Sequence, residues 1–287
     1  MKVYDRKNQK YQEIRQYGQE KLQFLYGNPF GRILLKLVIS PVTSRIYGWY
    51  QRRPASAAKI PGFIAEHGIR MEDFEEREYL SFSDFFTRKL KPGAREIAYA
   101  DDALISPADA KLLVYAIRED LRVPIKGSEY TLKELLGVEV QDFAGGQCLV
   151  FRLCMDDYHR YCFLDEGRLC RRYFIRGKLH TVSSISKDHK IYKENSRVVN
   201  EYRTKHFGKV IQVEVGALLV GRIRNRRVRE FRKGEEKGFF EPGGSTILVL
   251  LQKGAADVDS DILQMSAQGI ETVVQYGERI GTKREKA

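Results

Sequence analysis

The chain has 287 residues and a mass of 33.2 kDa, with 50 Lys and Arg against 38 Asp and Glu and a formal net charge of +12. That length allows one or two domains at about 100–200 residues each, and a hydrophobic share of 43% excludes a wholly disordered chain. No apolar run reaches the roughly 18 residues needed to cross a bilayer. The first twenty residues lack the apolar core of a secretory signal, so neither a spanning nor an exported protein is expected. Cys148, Cys154, Cys162 and Cys170 form no C-x-x-C pair. Reduced thiols in a cytosolic compartment are expected, and no metal site. The basic excess has two functional readings, nucleic acid and an anionic membrane surface, beside a merely solvated cationic surface.

Three zones follow one another along the chain. Residues 1–60 are basic and aromatic and read as helical, with Ile14, Tyr17, Leu22 and Leu25 at helical spacing. Asn28-Pro29 interrupts them. The run from Phe30 to Ile39 is too short to span a bilayer but apolar enough to lie in its interface, and Ser40-Pro41 stops it. Ile46, Tyr47, Trp49 and Tyr50, followed by Arg52 and Arg53, suit a headgroup layer. A helical hairpin packed on the core is the competing reading. Residues 60–100 also read as helical, with Phe82, Phe85 and Phe86 on one face. Ser81 or Ser83 would cap that helix and Lys91-Pro92-Gly93 would end it.

From about residue 103 strands dominate. They are expected at 103–105, 111–115, 147–153, 209–215, 218–224 and 246–251, punctuated by Gly and Pro as in antiparallel sheets. Strands do not alternate with helices in the βαβ manner, so a Rossmann-type sheet is not expected. A short helix is expected around Thr131–Leu136. The stretch from Arg222 to Lys233 holds seven Lys and Arg and one Glu. It lacks a helix-turn-helix, an RNP signature or a zinc module, so it reads as an exposed hairpin, and nucleic acid is not an expected partner.

The sharper feature is Glu241-Pro242-Gly243-Gly244-Ser245-Thr246, which runs straight into an apolar strand. Two glycines permit backbone conformations closed to other residues, and a serine at such a kink can point its oxygen at the preceding carbonyl. A tight turn with a Ser/Thr strand start is the plain alternative. The G-x-S-x-G elbow does not fit, because no Gly follows at the required spacing. A serine nucleophile needs a base and the base an orienter. His159, in Asp156-Asp157-Tyr158-His159-Arg160-Tyr161-Cys162, and Asp109, in Ser106-Pro107-Ala108-Asp109, are candidates. His67, His180, His189 and His206 leave the base open on composition alone.

The segment Ser81-Phe-Ser-Asp-Phe-Phe-Thr-Arg-Lys-Leu-Lys-Pro-Gly-Ala-Arg95 closely resembles the S-F-N-D-F-F-x-R-x-L-K-P-G-x-R signature of phosphatidylserine decarboxylases. The resemblance continues in order through Ser106–Asp109, Lys126-Gly127, Asp157–Arg160, Lys193–Arg197, Val215–Gly221, the Gly234–Phe240 segment and Gly243–Thr246, over roughly residues 56 to 282. It implies a pyruvoyl enzyme that cuts itself between Gly244 and Ser245. The Ser245 hydroxyl would attack the Gly244 carbonyl, and β-elimination would leave chains 1–244 and 245–287, the shorter one capped by a pyruvoyl group made from Ser245. That group would condense with the amine of phosphatidylserine and serve as electron sink for loss of CO2, giving phosphatidylethanolamine.

The family triad is Asp-His-Ser, and Asp109 and Ser245 match two of its members. The family pattern D-Y-H-R-x-H places His159 at its first histidine and Cys162 at its second. Three readings follow: His159 serves both reactions, Cys162 acts as a thiolate of lowered pKa, or the chain is an unprocessed, non-catalytic lipid-binding relative. The reading taken forward gives both reactions to His159. Ala110 and Gly243 are lesser departures, where Gly and an apolar residue are usual. Asn195 and Arg197 are candidates for the lipid headgroup.

The expected fold is α+β, a mostly antiparallel β catalytic unit with N-terminal membrane-docking helices. Residues 1–60 would form the membrane-association segment and 61–287 the catalytic domain. The expected location is peripheral, on the cytoplasmic face of the cell membrane. Expected partners are phosphatidylserine in that membrane, the two cleaved chains for each other, and a second copy in a homodimer.

Overall fold

A computed structural model of the chain describes residues 1–14, 19–178, 191–216, 222–243 and 245–284. Gly244, His180, His189 and the first four residues of the expected 218–224 strand lie outside the described residues. The apolar run after Ser245 forms the strand Ser245–Leu251, every residue of which is buried. A strand covered on both faces needs no polar alternation, which is why it reads as a continuous hydrophobic stretch.

Around it is a ten-stranded sheet. Across the sheet run Glu230–Phe231, Gly167–Ile175, Arg197–Thr204, Lys209–Gly216, Ser245–Leu251, Gln147–Leu153, Ala110–Ala116, Glu271–Val274, Lys2–Asp5 and Lys10–Glu13. All neighbours are antiparallel except Lys2–Asp5, which pairs in parallel with Glu271–Val274. Smaller sheets flank it. One joins Ile223–Asn225, Glu236–Phe240 and Arg160–Cys162. The fold is the expected α+β with mostly antiparallel pairing.

The structure redraws the expected helical zones. Residues 1–13 hold a β-hairpin at the sheet edge. It is fastened by Arg6, whose guanidinium reaches Asp259, Asp261 and Glu278. Four-residue strands are too short to show a period against the helical spacing that follows. Three short helices come next, Gln19–Gly27, Pro29–Val38 and Pro41–Gln51. Asn28 Oδ1 accepts from Phe30 N, and Ser40 caps the third helix with Pro41 in its first turn. Among the described residues no helix is long and apolar enough to cross a membrane.

Between 60 and 100, helix is confined to Ile60–His67, a 3-10 turn at Met71–Asp73 and Phe82–Phe86. Ser81, not Ser83, is the cap, accepting from Asp84 N at 3.2 Å. The helix ends at Phe86 with Thr87 as its C-cap, well before Lys91-Pro92-Gly93, and its aromatic residues join one buried cluster with Ile60 and Phe63. The Thr131 capping box starts Leu132–Leu136 as expected. The basic stretch 222–233 contributes strands to two different sheets, and its Lys233 turns inward to the carbonyls of Ala100 and Ala103.

One buried charge cluster ties the end of the chain to the sheet centre. Glu271 accepts from Arg152 Nε at 2.9 Å and from Lys126 Nζ at 2.9 Å. Burial alone would raise the Glu271 pKa, but Lys126 and Arg152 outweigh it and hold it at about 2, against an ordinary 4.5. Because the folded value is the lower one, its stabilisation is complete above about pH 4.5 and is lost as the pH falls toward 2. Glu271→Ala should cost about 3–5 kcal/mol in urea unfolding, since buried Arg152 and half-buried Lys126 lose their partner. Wild type should lose more stability than Glu271→Gln between pH 4.5 and 2; parallel acid curves would refute the assignment.

Candidate active site

Ser245 is the first residue of its strand and is paired on one side with Gly216 and on the other with Leu153. Its side chain is fully buried, and Oγ has no hydrogen-bond partner among the described residues. A buried hydroxyl without a partner costs about 1–3 kcal/mol, so its placement calls for a chemical reason. Gly243, two residues earlier, has φ of 141°, a region that side-chain-bearing residues rarely adopt. That explains glycine where the family pattern has an apolar residue.

Two chain segments connect His159 to the strands around this serine. Gln147–Leu153 runs beside Ser245, and six residues after Leu153 the chain reaches His159. Phe240 N donates to the His159 carbonyl at 3.0 Å, and from Phe240 the chain continues to Ser245. The ring is wholly buried under Phe86, with centroids 4.0 Å apart. Nδ1 donates to the Asp157 carbonyl at 2.8 Å, since a carbonyl can only accept, and this leaves Nε2 bare. Nε2 too is buried without a partner among the described residues. Burial and the charges of Arg88 and Lys111 lower the His159 pKa to about 3, against the opposing Asp157 carbonyl. The imidazole is therefore neutral at physiological pH, with its free lone pair on Nε2.

Asp109 is placed differently from the expected orienter. Its carboxylate is gripped by Arg95, Nη2 to Oδ2 at 2.7 Å and Nε to both oxygens, and accepts from Tyr276 N at 2.7 Å. Arg95 also holds Asp73. The group that orients His159 is the Asp157 carbonyl. The Asp157 side chain meanwhile accepts from Lys111 Nζ at 2.6 and 2.8 Å and from Cys154 N at 2.6 Å, pinning the turn that carries the histidine. Asp109 and His159 thus stand in separate hydrogen-bond networks.

Cys162 is fully buried, with Sγ 3.8 Å from the Ser106 carbonyl and against the Tyr276 hydroxyl. Burial pushes its thiol up to about 12, opposite to what a thiolate base requires. Through Tyr276, the cysteine and Asp109 share one residue: its amide binds the aspartate and its side chain touches the thiol.

Asn195 Nδ2 donates to the Gly216 carbonyl at 2.8 Å and so steadies the strand residue paired with Ser245. Arg197 gives four of its five N–H groups to the carbonyls of Leu135, Lys193, Asn195 and Glu134. It clamps a loop, and its guanidinium has little left to offer a headgroup. Glu241, at the head of the Gly-Gly segment, is buried between Arg52 Nη1 at 3.0 Å and Arg224 Nε at 3.1 Å. Arg88, Arg95 and Glu241 stand inside recognisable motifs and Lys111 at a strand start, with no role legible from the chain, and Tyr276 carries no motif at all. Their signal was a charged residue beside an apolar run, which alone does not name a partner.

A family model for phosphatidylserine decarboxylase matches residues 82–282. Curated relatives are similar over nearly the whole chain. Phosphatidylserine decarboxylase proenzyme 2 of Clostridium acetobutylicum is 49% identical over 93% of both chains. The phosphatidylserine decarboxylase proenzyme of Desulfitobacterium hafniense is 38% identical over 100% of this chain and 99% of its own. That of Clostridium botulinum is 38% identical over 99% of both.

The thiols offer a direct check on the site. In native protein at pH 8, iodoacetamide should label exposed Cys170 first, while Cys148 and Cys162, both pushed up to about 12, react only after denaturation. Rapid native labelling of Cys162, mapped by mass spectrometry, would restore the thiolate reading.

Proposed function

The chain belongs to the phosphatidylserine decarboxylase family, and from that membership we propose that it decarboxylates phosphatidylserine to phosphatidylethanolamine after cutting itself between Gly244 and Ser245. The observation that supports this reading is the pair of orphaned groups, Ser245 Oγ and His159 Nε2, a buried nucleophile and a bare ring nitrogen, each without a hydrogen-bond partner among the described residues.

In the first reaction Ser245 Oγ bonds to the Gly244 carbonyl carbon, His159 Nε2 takes the hydroxyl proton and passes it to the amide nitrogen, and the C–N bond breaks to leave an ester and a free amine. Removal of the Ser245 Cα proton then expels Gly244 as a carboxylate. Hydrolysis releases ammonia and leaves residue 245 as a pyruvoyl cap. A base of lowered pKa is a weak one, which suits a step that each molecule performs once. The dry surroundings of Ser245, at the end of a strand buried on both faces, fit the resulting group.

Once formed, the pyruvoyl group supplies an electrophilic carbonyl and an electron sink for the pair left when CO2 departs. The protein excludes water with Phe86 and the surrounding core, and His159 holds and returns a proton at Nε2. Arg95 and Tyr276 fix the carboxylate of Asp109 at the mouth of the Ser106–Asp109 turn.

The substrate would arrive from a membrane. The three N-terminal helices leave large apolar residues in solvent: Phe30 is 78% exposed, Ile33 65% and Trp49 53%. Arg53 lies over the Trp49 ring at 4.2 Å and Lys59 over Tyr50 at 4.5 Å. Aromatic faces carrying cations suit the headgroup layer of an anionic leaflet, and docking there would be peripheral.

Intact mass of purified protein tests the first reaction. Wild type should give chains of 244 and 43 residues, the smaller with a blocked N-terminus, while Ser245→Ala should stay whole. A single uncleaved wild-type species would instead favour a lipid-binding relative without activity. His159→Ala should abolish cleavage, and Cys162→Ala should cleave within about threefold of the wild-type rate, since a buried neutral thiol has no step to perform. Loss of cleavage in the cysteine variant alone would reverse the assignment. For docking, Phe30→Glu combined with Ile33→Glu should sharply reduce flotation with phosphatidylserine-containing vesicles; unchanged flotation would reject this face.

A further inference from the structure

Arg88 follows the Phe82–Phe86 helix by two residues and is 1% exposed. Its Nη2 donates to the Asp156 carbonyl at 3.1 Å, while Nε and Nη1 are buried without a partner among the described residues. The rings of Phe74 and Phe85 lie against the guanidinium, at 4.3 and 4.9 Å. Aromatic faces replace water above and below a guanidinium but leave its edge N–H groups unsatisfied. A buried cation in that condition is costly, and folds retain one for a purpose. Asp109 and Asp157 act on it only through space, and each is hydrogen-bonded elsewhere, to Arg95 and to Lys111.

We propose that Arg88 receives the phosphodiester of the lipid substrate beside His159. The inference rests on the decarboxylase reading above. Arg88 is near enough to act electrostatically on His159. Phe85 and Phe86 next to it belong to the aromatic cluster shared with Ile60 and Phe63, and their helix touches the third N-terminal helix, Pro41–Gln51. The guanidinium thus stands between the aromatic cluster, through Phe85, and the Asp156–His159 turn, through the Asp156 carbonyl. The phosphodiester is a better ligand than the substrate carboxylate. A cation on the carboxylate would hold in place the charge that must leave as CO2, whereas a phosphodiester keeps its charge throughout and is bound equally in ground and transition states. Arg88 is therefore a binding residue, and its loss should appear in KM.

The test uses the cleaved enzyme in mixed detergent micelles of phosphatidylserine. Arg88→Lys and Arg88→Gln should still self-cleave, which reports folding. KM should rise by about tenfold or more in the glutamine variant, less in the lysine variant, with kcat within about threefold. Glycerophosphoserine should compete with substrate in wild type and poorly in the variants, and free serine should compete in neither. Unchanged KM in cleaved variants, or a loss confined to kcat, would overturn the proposal. A structure of mature wild type with glycerophosphoethanolamine decides independently of either variant: phosphate oxygens should lie within hydrogen-bond distance of Arg88 Nε or Nη1, and phosphate held elsewhere refutes it. A wild-type enzyme that turns over no phosphatidylserine would overturn the parent reading instead, and would be seen before any variant is made.

Discussion

The molecule is organised around a serine that must be dry and yet unbound. Ser245 heads a strand buried on both faces, so water cannot satisfy its hydroxyl, and its neighbours in the sheet, Gly216 and Leu153, offer it no side-chain partner. A buried polar group in that state raises the energy of the fold. The surrounding sheet runs strand to strand from the edge hairpin to the Gly167–Ile175 strand and holds this residue in place. The neighbouring histidine follows the same logic. One ring nitrogen is tied to a carbonyl, and the other is left bare where burial disfavours its protonation.

Electrostatics around this pair is compartmentalised. Arg95 neutralises Asp109, Lys111 neutralises Asp157, and Arg152 with Lys126 neutralises Glu271. These three acids each have their own cation, and His159 meets the positive charges of Arg88 and Lys111. A histidine hydrogen-bonded to an aspartate would be a stronger base. Here the aspartate of the Ser-Pro-Ala-Asp turn has an arginine instead, and the residue that stands at the second histidine position of the family pattern is a cysteine whose thiol stays protonated.

Much of this was legible in the chain. The strand beginning at Ser245 announced itself through seven residues without a charge, and a short helix was legible around Thr131–Leu136. Ser245, His159 and Asp109 could be singled out because serine, histidine and aspartate beside turns are the residue types that nucleophilic chemistry requires. What could not be read was who holds whom. Asp109 and Arg95 are close in sequence, but nothing local says that the aspartate turns to the arginine and not to the histidine. The Asp157 carbonyl is a backbone group, present at every position and therefore silent as a signal. The hairpin at residues 2–13 was hidden because its strands are short, and its partner, Glu271–Val274, lies at the opposite end of the chain. Arg197 looked like a headgroup ligand for the same reason that it makes a good clamp: five donors serve carbonyls as well as phosphates.

The strand order has a consequence for the lifetime of the mature protein. Two strands that follow the proposed cut, Ser245–Leu251 and Glu271–Val274, are interleaved with strands that precede it, Lys209–Gly216, Gln147–Leu153, Ala110–Ala116 and Lys2–Asp5. Severing the chain therefore frees nothing; the short piece stays woven into the sheet by its backbone ladders. Assembly of that weave, however, relied on one continuous polypeptide. After the cut, unfolding would scatter two fragments whose reunion depends on concentration, and the tether that once threaded residue 245 into place would be gone. The mature form would persist by the slowness of its unfolding, and each molecule would have one opportunity to fold.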